Sequence, residues 1–222
     1  MDVLTNMEQI HFNIRQACER SNRNPDEISI IAVTKYVTIE RTEEVIDAGI
    51  ENLGENRLEG FLEKYNQIKD KAKWHFIGTL QTRKVKDIID KVTAVHSLDR
   101  TSLAKEIDKR VTEPVDCFVQ VNVSGEASKH GLAPDKVTPF IEEIAVYNNI
   151  RVVGLMTMAP HVEDEQVLRN TFKKLVELRD QMKNKNITNA PCEYLSMGMS
   201  NDYEIAIEEG ATHIRIGSKL VG

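Results

Sequence analysis

The chain has 222 residues, 41% of them hydrophobic and 29% charged, which is enough to bury a sizeable core without disulfide or metal staples. Its formal net charge of −6 gives no electrostatic case for nucleic acid or an anionic membrane, so an anionic ligand would have to be held by a local site. No apolar run approaches the roughly 20 residues of a membrane span, and three scattered cysteines, Cys18, Cys117 and Cys192, offer neither metal-ligand spacing nor an even disulfide count.

The opening MDVLTNMEQIHFNIRQACER mixes acids, bases and amides at helical spacing, which predicts a helix near residues 3–22 and lacks the apolar block of a signal peptide. Together with unpaired thiols, this reads as a cytoplasmic chain. The first strand, ISIIAVTKY, is aliphatic and then meets a lysine; at a period of two Lys35 shares its facing with Val33 and Ile31 and is aimed inward. Further strand-like runs lie at ENLGEN, KWHFIG, AVHSLD, DCFVQVNVS, RVVGLMTMAP, CEYLSMGMS and HIRIGS. Between them lie the amphipathic segments TIERTEEVIDAG, LEGFLEKYNQIKD, KVKDIIDK, TSLAKEIDKR, PDKVTPFIEEIAVYN, EQVLRNTFKKLVELRDQMK and DYEIAIEEG, with Thr101 and Asp202 as expected helix caps.

Eight strands alternating with helices predict a parallel sheet, and eight is the number that closes a (β/α) barrel. A doubly wound open sheet is the alternative, but no GxGxxG follows the first strand. In a barrel the functional groups gather on the carboxyl-terminal rim, which here carries Lys35, Asn56, His75, Asp99, Asn122, Met156, the SMGMS turn and RIGS.

A lysine at a barrel mouth can present a free amine and form a Schiff base with an aldehyde, although by itself it reads first as a stem snorkelling to solvent. The turn SMGMSND supplies two hydroxyls, backbone amides and a helix start, groups that hold a phosphate without net positive charge. In RIGS, Arg215 and Gly217 share a facing while Ile214 and Ile216 point to the helices, so Arg215 is aimed into the mouth. The bland alternative has Gly198 and Gly217 serving tight turns and Arg215 paired with an acid such as Glu193. A lysine on the first strand and a phosphate cradle on the last two point to one spanning ligand, a phosphorylated aldehyde of the kind of pyridoxal 5'-phosphate (PLP).

The segments AVTKY, LGEN, WHFIGTLQ, HSLD, VNVSGEASKHG, GLMTMAP, LSMGMSNDY and RIGS, in this order across residues 28–218, resemble the YggS/PROSC (PLPBP) family of pyridoxal phosphate homeostasis proteins. The resemblance implies a single (β/α)8 TIM-type barrel spanning 1–222, similar to the amino-terminal domain of alanine racemase, with an extra amino-terminal helix. It implies a carrier or regulator of the vitamin B6 pool that takes PLP and related vitamers, with apo forms of PLP-dependent enzymes as candidate partners. It places the cofactor lysine at Lys35, phosphate contacts at Ser196, Ser200, Gly217 and Ser218, Arg215 near the pyridine nitrogen, and Asn56, His75 and Met156 as rim neighbours. An arginine beside that nitrogen disfavours its protonation and makes the ring a poorer electron sink. The chain departs from the family pattern in SKLVG after RIG and in Arg83 of LQTRK, where an asparagine is common.

A PLP-dependent amino-acid racemase is the alternative function. Alanine racemase carries a second domain with a tyrosine base, whereas here eight strands consume the chain by residue 218, and a monomer is expected. Racemisation by two bases needs a proton acceptor on each face of the substrate carbon. Tyr36 alternates away from Lys35 on the strand, and a histidine at a strand end, such as His75, reads as structural. The expectation is a binding and delivery protein with no catalytic residue and no metal. No GxSxG, HExxH or Walker loop is present, and Lys129 in GEASKHG reads as a solvated loop lysine or a secondary ligand contact.

Overall fold

The computed structural model describes residues 2–126 and 130–222; Lys129 lies outside the described residues. The first helix, α1 (Val3–Arg20), starts where the Asp2 carboxylate accepts the Thr5 N–H at 2.7 Å, a side-chain cap for an otherwise orphaned donor. Val3, Met7, Ile10, Ile14 and Ala17 recur every three or four residues and form its buried stripe.

Eight strands come next: β1 (Ser29–Val33), β2 (Asn52–Glu55), β3 (Lys73–Phe76), β4 (Ala94–Leu98), β5 (Val115–Gln120), β6 (Ile150–Met156), β7 (Tyr194–Met199) and β8 (His213–Ile216). All pair in parallel in chain order, and β8 returns to pair with β1, closing the barrel. The helices that connect them are α2 (Ile39–Asp47), α3 (Leu58–Ile68), α4 (Val85–Ile88), α5 (Thr101–Arg110), α6 (Pro134–Ile144), α7 (Glu165–Lys183) and α8 (Tyr203–Glu208), with a last turn, α9 (Ser218–Val221). The protein is therefore a (β/α)8 barrel with an added amino-terminal helix, which packs on α8 and α9. No helix among the described residues is long and apolar enough to cross a membrane.

Two burials hold the barrel together. Outward-facing Ala32, Leu53, Trp74, Val95, Leu195, Ile214 and Ile216 join the helix stripes in one apolar layer, where each large side chain removed from water contributes about 1.5–3 kcal/mol. Phe61 of α3 meets Trp74 edge-on with ring centroids 5.4 Å apart, and the indole N–H is satisfied by the Lys69 carbonyl at 2.8 Å. Inside the barrel the apolar filling is small, Ala94, Phe118, Val153 and Met156. Ile31 is buried apart from this cluster, and polar side chains, His75, His96, Ser196 and Arg215 among them, share the interior with it.

The helix starts differ from the expected ones. Thr101 is the first residue of α5 and donates to Glu143 at 3.0 Å, while Asp202 precedes α8 but accepts the Met199 N–H at 2.5 Å, closing the β7–α8 turn instead of capping the helix. Side-chain caps come from Asp2, Thr38 and Asp164, the last accepting from Gln166 and Val167 ahead of α7. The cysteines Cys18, Cys117 and Cys192 are free and buried.

Candidate functional site

Strand β1 ends at Val33, so the period of two no longer governs the residues beyond it. The chain turns at Thr34, whose carbonyl accepts the Val37 N–H at 3.1 Å, and this turn sets both Lys35 and Tyr36 on the rim. Lys35 is exposed, with its ammonium 4.9 Å from the Tyr36 ring centroid. Tyr36 thus lines the same cavity as Lys35, against the alternation expected of an extended strand.

Beneath the turn lies a buried ion pair. Lys64 of α3 donates to Glu55 Oε1 at 2.7 Å and to the Thr34 carbonyl at 2.5 Å, and the Thr34 hydroxyl donates to the same Glu55 oxygen at 2.7 Å. Thr34, Glu55 and Lys64 are 0%, 1% and 5% exposed, so the pair is shielded from water and survives on the hydrogen bonds that surround it. These bonds fix the backbone atom immediately before Lys35. Neither Glu55 nor Lys64 stands out in the sequence; the available signal is that Lys64 falls three residues after Phe61 on the apolar stripe of α3.

At the carboxyl-terminal ends of the strands opens a cavity of about 940 Å³. It brings together Lys35, Asn56, Ser200, Arg215, Gly217 and Ser218. Ser200 Oγ accepts the Gly217 N–H at 3.1 Å, which ties the β7 and β8 loops and leaves the hydroxyl proton for another acceptor. Arg215 is buried; burial draws its guanidinium down to about 10 while the Asp202 charge opposes the shift, so it remains a cation at neutral pH. Burial raises the Asp202 carboxyl, with the Met199 N–H and Arg215 pulling the other way. Glu193, the acidic alternative as an arginine partner, instead uses its carbonyl to accept Arg179.

His75, Met156 and Ser196 do not line this cavity; all three are buried deeper in the barrel. Ser196 Oγ accepts an Arg215 N–H at 2.5 Å and lies 2.9 Å from His96 Nδ1. His96 Nε2 is 3.0 Å from His75 Nδ1, and His75 Nε2 is 3.1 Å from Asn52 Oδ1. Burial pushes His75 down to about 3 and His96 well below the usual imidazole range, with nearby imidazoles adding to both shifts, so the two rings are neutral. Arg215 also donates to the Thr157 carbonyl at 2.8 Å.

A family model for the alanine racemase N-terminal domain matches residues 5–222. The chain is 41% identical over 226 residues to a pyridoxal phosphate homeostasis protein of Aquifex aeolicus (strain VF5), covering 100% of this chain and 98% of that one. Among solved structures, PipY of Synechococcus elongatus PCC7942 without PLP superposes with a TM-score of 0.84 at 27% identity, over 95% of this chain and 99% of that one. PipY with PLP bound gives 0.82 at 24% identity, over 95% and 100%. An alanine racemase of Clostridium difficile 630 shares the fold at 14% identity, with a TM-score of 0.79 over 99% of this chain and 58% of that one. This chain belongs to the alanine racemase N-terminal domain family and, within it, to the pyridoxal phosphate homeostasis proteins.

Proposed function

We propose that this protein binds PLP in the rim cavity and serves the intracellular balance of that cofactor as a holder and donor, not as a catalyst. The observation that carries the reading is the donor set of one cavity: a lysine amine, two serine hydroxyls and an arginine, suited to an aldehyde at one end and a phosphate at the other. The residues fit the group. When bound, PLP supplies an aldehyde that joins a lysine as a Schiff base.

In this reading Lys35 is the amine that anchors the cofactor. Ser200, held by the Gly217 N–H with its own proton unspent, and Ser218 face the phosphate. Arg215 faces the pyridine ring, and Asn56 lines the wall beside it. Ser196, His75 and Met156, buried below, shape the floor. The buried free thiols support a cytoplasmic setting, and a monomer of one domain that passes the cofactor to apo PLP-dependent enzymes completes the proposal.

Amino-acid racemisation is the second reading, and Tyr36 is the observation that favours it, because its ring lines the cavity next to Lys35. Two neighbours on one turn do not supply acceptors on opposite faces of a substrate carbon. The deciding experiment titrates the protein with PLP and then incubates it with single enantiomers of common amino acids in heavy water. A visible absorption band without α-proton exchange is the expected outcome; exchange at enzyme-like turnover would replace the carrier with the racemase, and absence of any band would overturn both.

A further inference from the structure

The barrel interior holds a polar chain that the cavity does not account for. It runs Arg215, Ser196, His96, His75, Asn52 and touches strands β8, β7, β4, β3 and β2, with every link at 3.1 Å or less. Ser196 and His96 are 0% exposed, so no solvent completes their bonding.

One direction of donation satisfies the whole chain. The Asn52 carbonyl oxygen accepts from His75 Nε2–H, which leaves His75 Nδ1 of a neutral ring as an acceptor for His96 Nε2–H. His96 Nδ1 must then accept, and the Ser196 hydroxyl donates to it. Ser196 Oγ in turn accepts from Arg215, which has protons only to give. The reverse direction would have Ser196 accepting from both neighbours and would leave its own buried proton without an acceptor, which makes it the costlier arrangement.

Packing keeps the chain in register. His96 stacks on Phe118 with centroids 4.2 Å apart, and the second arm of Arg215 is held by the Thr157 carbonyl. A fixed guanidinium therefore emerges from a fixed serine, which is fixed by two imidazoles of a single tautomer.

We propose that Ser196 and His96 are positioning residues that act through Arg215, holding its guanidinium at one location on the cavity floor and so setting how the ring nitrogen of a bound cofactor is contacted. This rests on the reading of the cavity as a PLP site. Ser196 touches Arg215 and His96 touches Ser196, so both act through a neighbour and are not catalytic groups. Their hydroxyl and imidazole are spent within the chain and hold no phosphate.

The test uses the full chain and PLP labelled with ¹⁵N in the ring. Ser196→Ala is expected to move the ring-nitrogen NMR signal and to speed cofactor release at least threefold after dilution, while borohydride still attaches the cofactor to Lys35. In an Arg215→Met background the same substitution should add no further change, because the effect passes through the arginine. A stability role alone would lower the melting temperature in both backgrounds and leave the nitrogen signal in place; that result, or equal shifts with and without Arg215, overturns the proposal. If Ser196→Ala does not fold, ¹⁵N-histidine spectra of the unaltered protein decide it: His75 and His96 are both expected as neutral Nε2–H tautomers, and an Nδ1–H signal for either refutes the chain. Failure of the unaltered protein to bind PLP at all would instead remove the cavity reading, and the proposal with it.

Discussion

Lowering the pH from 7 to 5 should weaken this fold through histidines that cannot take a proton in place. His75 and His96 are 5% and 0% exposed, burial holds His75 near 3, and His96 lies well below the ordinary range. Each ring is neutral in the fold and, with an ordinary value of about 6.5, charged in the unfolded chain at pH 5. The unfolded state then binds more protons, so the stability contribution is whole above about pH 6.5 and is lost as pH falls toward 3. Over the two units from pH 7 to 5 the loss is about 2 kcal/mol for His75, and His96 adds a loss of the same sign. His213, drawn by burial and by Arg215 to about 4, deepens the fall; Asp202, whose carboxyl burial raises, opposes it at the acid end. Urea unfolding followed by Trp74 fluorescence at pH 7, 6 and 5 measures this directly. A change below about 1 kcal/mol across that range would refute neutral, solvent-excluded imidazoles in the barrel.

Other expected outcomes rest on single contacts. Lys64→Met leaves the Glu55 carboxylate buried without its partner and should cost about 3–5 kcal/mol in urea unfolding, part of which Lys64→Met with Glu55→Gln restores. Gly78→Ala would drive a methyl into the Asn56 carbonyl oxygen, so the loop must shift; lower thermal stability and weaker PLP binding are expected, and unchanged binding would free Asn56 of any role. Ser200→Ala removes a donor from the phosphate end and the acceptor of the Gly217 N–H, and should weaken PLP retention by about 1.5–3 kcal/mol in equilibrium dialysis.

The barrel is legible in the sequence because both of its signals are local: aliphatic runs of strand length and amphipathic runs of helix length, eight of the former in alternation. Facing along β8 is legible for the same reason, since Ile214 and Ile216 join the helix layer while Arg215 turns inward. Depth is not. Ser196 and Ser200 sit four residues apart in one motif, yet the first lies within β7 and bonds to Arg215 and His96, while the second lies past the strand on the cavity wall. Sequence pattern cannot separate them, because where a strand stops depends on pairing with its neighbours. The same limit governs Tyr36, whose alternation away from Lys35 holds only if β1 continues past Val33. The partners of His75 come from β2 and β4, an arrangement visible only once the barrel is closed.

The central claim, that Lys35 anchors a phosphorylated aldehyde, is tested most directly by borohydride reduction of the PLP-loaded protein and peptide mass analysis of the product. The reduced pyridoxyl mass should appear on the peptide carrying Lys35 and vanish in Lys35→Ala. A tag of equal yield in that variant, or one carried wholly by another lysine in the unaltered protein, would contradict the account.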